Sequence, residues 1–265
     1  MTRVLSGAVL IVLATVLVWL APLPVLLAAG ECVLALGVYE YAGLARASGL
    51  RIPAVPAGVA AGLTLAAFAP AAIGVAFAPL DAVLVSALVA LGVVALAMWR
   101  GGGDAVGASA ASVFPCLYLG LPLGSLVAIR AARGGAGLFL LMLTVIASDT
   151  GQYYAGRALG RRPLAAAISP KKTIEGAIGG FIVGTAVLTI VGIWWLPSVP
   201  VLLRGALGVT VVALGIAGDL FESMLKRSAG VKDSSGLIPG HGGVLDRIDA
   251  LLFAAPVYYV VLKYV

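Results

Sequence analysis

Asp219, Glu222, Ser223, Lys226 and Arg227 stand at i, i+3, i+4, i+7 and i+8. On a helix that spacing puts all five on one face, acids at one end and bases at the other. Lys232-Asp233 comes next, then the turn PGHGG at 239–243, then Asp246-Arg247-Ile248-Asp249. Glycines let backbone N–H groups close around an anion, and a helix opening just after them attracts phosphate. That helix is expected to begin near Val244 or Asp246. Asp246 and Asp249, three residues apart, can face one ligand together. Carboxylates beside Lys and Arg, with no Cys/His cluster, suit Mg²⁺ whose shell is completed by phosphate oxygens. They do not suit structural zinc. Plainer readings stay open: a salt-bridge ladder between helices, an Asp helix cap paired with Arg247, and a His241 that makes only a polar contact.

A second polar stretch, 148–176, holds Asp149, Gln152, Arg157, Arg161 and Arg162, then Ser169-Pro170-Lys171-Lys172-Thr173 and Glu175. Two lysines beside Ser and Thr donors, ahead of a helix, can hold a phosphate at a membrane surface. Arg161 and Arg162 equally suit a plain cytoplasmic flank. An ionisable group inside a span costs several kcal/mol unless paired, hydrated or bound to a cation, so these clusters are functional candidates.

The elements that must position these groups are membrane helices. The chain is 62% hydrophobic and 11% charged over 265 residues, with a mean hydropathy of +1.14. Such a composition, in continuous rather than alternating apolar runs, implies an all-α, polytopic integral membrane bundle and argues against a barrel. About nine spans are expected, near 4–20, 23–44, 54–78, 82–99, 107–129, 137–158, 174–196, 201–225 and 244–264. Pro70 can split the third, and Pro115 with Pro122 should kink or break the fifth. The first is read as a retained span rather than a cleaved signal peptide. Glu31 and Glu40 are unexplained acids within the second.

Positive charge orients the bundle. Arg46, Arg51, Arg100, Arg161, Arg162, Lys171, Lys172, Lys226, Arg227, Lys232 and Arg247 fall in alternate loops on one side. The other side holds little beyond Arg130 and Arg133. The first side is expected to be cytoplasmic, at the inner membrane. The net charge of +6 then reflects this bias and phosphate binding rather than nucleic acid. Cys32 and Cys116, far apart in apolar runs, read as inert thiols. Residues 1–100 are taken as N-terminal helices and 101–265 as the catalytic membrane region of one continuous domain.

The stretch from Ser223 resembles the phosphatidate cytidylyltransferase family, also called CDP-diacylglycerol synthase. Its pattern is S-x-x-K-R, then K-D, then P-G-H-G-G, two residues, and D-R-x-D. Here these are Ser223, Lys226-Arg227, Lys232-Asp233, Pro239 to Gly243, Asp246-Arg247 and Asp249. Asp149-Thr-Gly, Tyr153, Gly156-Arg157, Ser169-Pro-Lys-Lys-Thr with Glu175-Gly, and Gly218-Asp219 are also similar. The specific likeness covers roughly 145–255.

The resemblance implies that CTP and phosphatidate react to CDP-diacylglycerol and pyrophosphate, with Mg²⁺ and room for a second cation. Asp219, Asp246 and Asp249 are the expected metal ligands. Lys226, Arg227, Lys232 and Arg247 are expected on the CTP phosphates, with Asp233 placing a lysine or reading the nucleotide. His241 is expected to orient a phosphate oxygen. Ser169, Lys171 and Lys172 are the expected lipid-phosphate clamp, and Ser223 with Gly240, Gly242 and Gly243 completes the substrate contacts. A homodimer is left open. Two rivals stand: a CTP-dependent lipid kinase acting on a polyprenol-type alcohol, and an ion transporter using the intramembrane acids. Against the second, the acids cluster at one membrane face rather than at mid-bilayer.

Overall fold

A computed structural model describes residues 2–70, 74–101 and 103–265. Nine α-helices are described: α1 (Thr2–Trp19), α2 (Leu23–Ala47), α3 (Ala54–Ala66), α4 (Leu80–Met98), α5 (Ala105–Pro115), α6 (Leu121–Leu159), α7 (Ile174–Trp195), α8 (Val201–Ser228) and α9 (Leu245–Lys263). A π-turn, Cys116–Gly120, joins α5 to α6. The helical class expected from composition is what forms, and many large apolar side chains, among them Leu88, Leu96, Ile182 and Ile190, point outward. Outward apolar surface on long helices is what lipid requires.

Among the described residues, five helical stretches are long and apolar enough to cross a membrane. The chain shows why this differs from a count of nine. The expected fifth and sixth spans both fall in the single apolar stretch Ala105–Leu159. Within it the π-turn interrupts the α-helix at Cys116–Gly120, and the non-helical backbone of Gly134, with φ of 68°, kinks α6 between the two expected spans. In the expected third span α3 accounts for 13 residues, Ala54–Ala66, and the 71–73 portion lies outside the described residues. One stretch departs from the all-α expectation. Pro163–Ala165 (β1) and Ser169–Thr173 (β2) pair antiparallel, so the Ser-Pro-Lys-Lys-Thr run is a strand.

The chain divides into two compact units. Unit 1 comprises Met1–Ala131 and Leu225–Arg247; unit 2 comprises Ala132–Met224 and Ile248–Val265. Within unit 1, α2 and α3 pack around Leu34, Val38 and Leu65, with Leu119 from the π-turn fully buried. The expected irregularity at Pro115 has a direct cause. Proline has no N–H, so the carbonyl of Ala111, four residues back, loses its helical donor. Tyr41 Oη donates to that carbonyl at 3.1 Å. An unpaired carbonyl in an apolar interior costs several kcal/mol, so α2 repairs what the proline removes.

Within unit 2, two glycine crossings set the helix spacing. A Cβ on Gly151 of α6 would lie 2.7 Å from the Gly179 carbonyl of α7. Small residues there let the backbones touch, the usual means of close packing in lipid. Gly218 of α8 meets the Asp249 carbonyl of α9 in the same way. That contact sets Asp219 beside Asp249. Phe221 and Phe253 lean on each other just beyond, with centroids 5.3 Å apart.

Candidate functional site

The polar residues form one cluster in each unit. In unit 1, α8 ends as a glycine-stopped helix. Gly230 has φ of 70°, and the Val231 N–H donates to the Lys226 carbonyl at 2.9 Å. This closes the last turn and releases the chain into the loop that carries Lys232 to Gly243. The PGHGG turn folds on itself: Ile238 N–H donates to the Gly242 carbonyl and His241 N–H to the Ile238 carbonyl, both at 2.9 Å. Gly240 and Gly242 take φ of 76° and 79°, a region open to glycine and strained for other residues.

Asp246 anchors this loop. Its Oδ1 receives Lys226 Nζ. Its Oδ2 receives the Ser234 N–H at 3.0 Å, the Ser234 hydroxyl at 2.8 Å and the Gly243 N–H at 2.8 Å. Four donors therefore converge on one carboxylate. Of the turn amides expected to serve a ligand, that of Gly243 is committed to Asp246 and that of His241 to Ile238. Lys232, Asp233, Gly240 and Arg247 are exposed. Arg227 is exposed too, and its guanidinium reaches the Val231 carbonyl at 3.0 Å.

Sequence reasoning left Glu40 without a role. It is 1% exposed on α2, and its carboxylate receives Ser234, Ser235 and the N–H groups of Val244 and Leu245. The signal was an acid alone in an apolar span, which marks a buried partner without saying which.

In unit 2, Asp149 and Gln152 on α6, Lys171 and Lys172 on β2, and Asp219 on α8 line a cleft of about 510 Å³. Tyr153, Arg157 and Gly156 also line it. Thr173 caps α7 by accepting from the Gly176 N–H at 3.1 Å, which fixes the end of β2. Glu175 accepts from the N–H groups of Arg161 and Arg162 at 3.0 and 3.2 Å, fixing the chain that enters β1. Between these anchors Lys172 Nζ reaches Asp219 Oδ2. Ser223 lies 3.5 Å from Asp219 Oδ1, and Gln152 donates to Asp149 Oδ1 at 3.0 Å. Asp249 accepts from the adjacent Ala250 N–H at 2.7 Å. Ser169 opens β2 and is half-buried.

The carboxylates of Asp149, Asp219 and Asp249 act on one another electrostatically, with Lys172 the nearby cation. No three His, Cys, Asp or Glu side chains among the described residues form a ready metal cage. Of the three metal ligands expected from sequence, Asp219 and Asp249 belong to unit 2 and Asp246 to unit 1. Asp149 joins the first two. Cys32 and Cys116 are free thiols.

A phosphatidate cytidylyltransferase of Helicobacter pylori is 35% identical over 186 residues, covering 70% of this chain and 66% of that protein. One from Haemophilus influenzae is 50% identical over 130 residues, covering 46% and 45%. One from Bacillus subtilis is 36% identical over 148 residues, covering 55% of each. The matched segment thus spans less than two thirds of these relatives. The model of the cytidylyltransferase family matches residues 1–265, and with the motif residues gathered as described, the chain belongs to that family.

Proposed function

We propose that the protein transfers the cytidylyl group of CTP to phosphatidate, releasing pyrophosphate, at the cytoplasmic face of the inner membrane. The observation that carries this reading is the unit 2 cleft, where Asp149 and Asp219 line the wall beside Lys171, Lys172 and Arg157. The bacterial relatives named as phosphatidate cytidylyltransferases support it.

The acceptor explains why the site holds bases and acids but no nucleophile–base pair. A phosphate monoester is already largely ionised near neutral pH, so its oxygen needs little help to lose a proton. The obstacle is repulsion between two phosphate groups, and fixed positive charge lowers it. Lys171, Lys172 and Arg157, with Ser169, hold the lipid phosphate in this scheme. Lys232, Arg227 and Arg247 are assigned to the triphosphate, with the Gly240 and Gly242 amides and His241 orienting its oxygens.

The donor set fits Mg²⁺. That ion is commonly held by one or two carboxylates with substrate phosphates filling its shell, so a complete protein cage is not needed. Asp219 and Asp249 would hold it, with Asp149 beside them; when bound, it would offset charge on the reacting phosphates. The same reading carries about nine membrane crossings, a cytoplasmic N-terminus and room for a homodimer.

The test is product analysis with CTP labelled at the α-phosphate and phosphatidate in detergent micelles. Label should move into the lipid as unlabelled pyrophosphate is released. Label recovered only as CDP would replace cytidylyl transfer with kinase chemistry.

A further inference from the structure

Glu40 sits far from the motif residues in sequence, yet it grips both ends of the loop that carries them. At one end, Ser234 Oγ and Ser235 Oγ lie 2.9 and 2.6 Å from its carboxylate oxygens. At the other, the Val244 and Leu245 N–H groups donate to it, each at 2.8 Å. Between these ends lies the PGHGG turn. The Ser234 hydroxyl also lies 2.8 Å from Asp246 Oδ2, so one hydroxyl joins the two carboxylates. The fully buried Leu245 side chain packs beside Gly37, one helical turn before Glu40. A Cβ on Gly243 would collide with Ser234 Oγ and the Glu40 carboxylate. The last glycine of the turn is thus dictated by Ser234 and Glu40 together.

We infer that Glu40 is a positioning residue that closes the 234–245 loop and thereby presents the nucleotide-binding turn. The inference rests on the reading that this turn binds CTP. A loop held shut before the ligand arrives loses less conformational freedom on binding. Loss of the clasp should therefore weaken nucleotide binding more than it slows a bound complex.

Glutamine is the informative replacement, because it keeps size and shape. The carboxylate accepts on both oxygens, and each oxygen faces one backbone N–H. Glutamine has one acceptor oxygen, so its NH₂ must oppose either Val244 or Leu245. Serine hydroxyls can turn around, but a backbone N–H cannot.

The experiment measures steady-state turnover and amide hydrogen exchange for the full chain in detergent. Glu40→Gln should raise KM for CTP about tenfold or more. KM for phosphatidate and kcat should stay within about twofold, and residues 232–243 should exchange faster. An unchanged KM for CTP in folded Glu40→Gln would overturn the inference. Should that variant not fold, Ser235→Ala, which removes one donor and leaves Glu40 in place, decides: a smaller rise in KM for CTP supports the clasp, and no rise in KM with no change in exchange overturns it. Wild-type protein without CTP-dependent turnover would overturn the reading beneath it, leaving the exchange rates to decide the clasp alone.

Discussion

Asp246 and Asp249 are three residues apart on α9, and the two units use them in opposite ways. Asp246 in unit 1 receives Lys226, both donors of Ser234 and the Gly243 N–H. Its neighbour in unit 1, Glu40, receives Ser235 and the Val244 and Leu245 N–H groups and shares the Ser234 hydroxyl with Asp246. Asp249 in unit 2 accepts from the Ala250 N–H and interacts electrostatically with two further carboxylates, those of Asp219 and Asp149. Saturated carboxylates hold a loop in place. Carboxylates set near one another beside basic side chains leave oxygens that a ligand can use. The same residue type therefore builds in one unit and waits for ligands in the other.

Exchanging each aspartate for asparagine should separate the two uses. Asp246→Asn removes the partner of a nearly buried ammonium; the side chains of Lys226 and Asp246 are 10% and 7% exposed. Weakening a charge-assisted hydrogen bond of this kind costs about 1–3 kcal/mol. Thermal unfolding in detergent should shift down accordingly, and pyrophosphate release should be lost with it. A melting temperature unchanged from wild type would remove the structural role assigned to Asp246.

Asp249→Asn should do the reverse. Pyrophosphate release should fall by roughly 100-fold, the scale of losing one electrostatic contributor to a phosphoryl-type transition state. The melting temperature should hold or rise, because a carboxylate set near two others is replaced by a neutral amide. A variant that melts well below wild type would show that Asp249, like Asp246, is part of the scaffold.

The sequence made the helical membrane class and the charged motifs legible, because apolar run length and charge placement are local properties. It did not separate Asp246 from Asp249. Their spacing suggests a shared ligand, but which cluster each joins depends on Gly218, which draws the Asp249 carbonyl to α8, and on Ser234, which caps Asp246. Glu40 was visible as an acid in an apolar span. Its partners lie about two hundred residues away (194 to Ser234), and no periodicity reports a contact of that range. The strand character of Ser169–Thr173 was hidden for a similar reason. It depends on pairing with Pro163–Ala165, on the Glu175 anchor and on the cap that Thr173 supplies to α7, none of which a local propensity reports.

The smallest expected effect lies on the hairpin, where four bases follow one another closely in sequence. Arg162 pairs with Glu175 at 3.2 Å, but its side chain is 71% exposed. An exposed pair of this kind is screened by water and contributes little. Glu175 also keeps the backbone N–H groups of Arg161 and Arg162 when the guanidinium is removed. Arg162→Ala should therefore leave turnover within about twofold of wild type. Lys172 is 21% exposed, lines the cleft and reaches Asp219. Lys172→Ala removes the cation set among three carboxylates, so kcat/KM for phosphatidate should fall about tenfold or more. Equal losses in the two variants would mean that the hairpin acts as a diffuse basic surface. The difference between them is what a defined lipid-phosphate clamp requires.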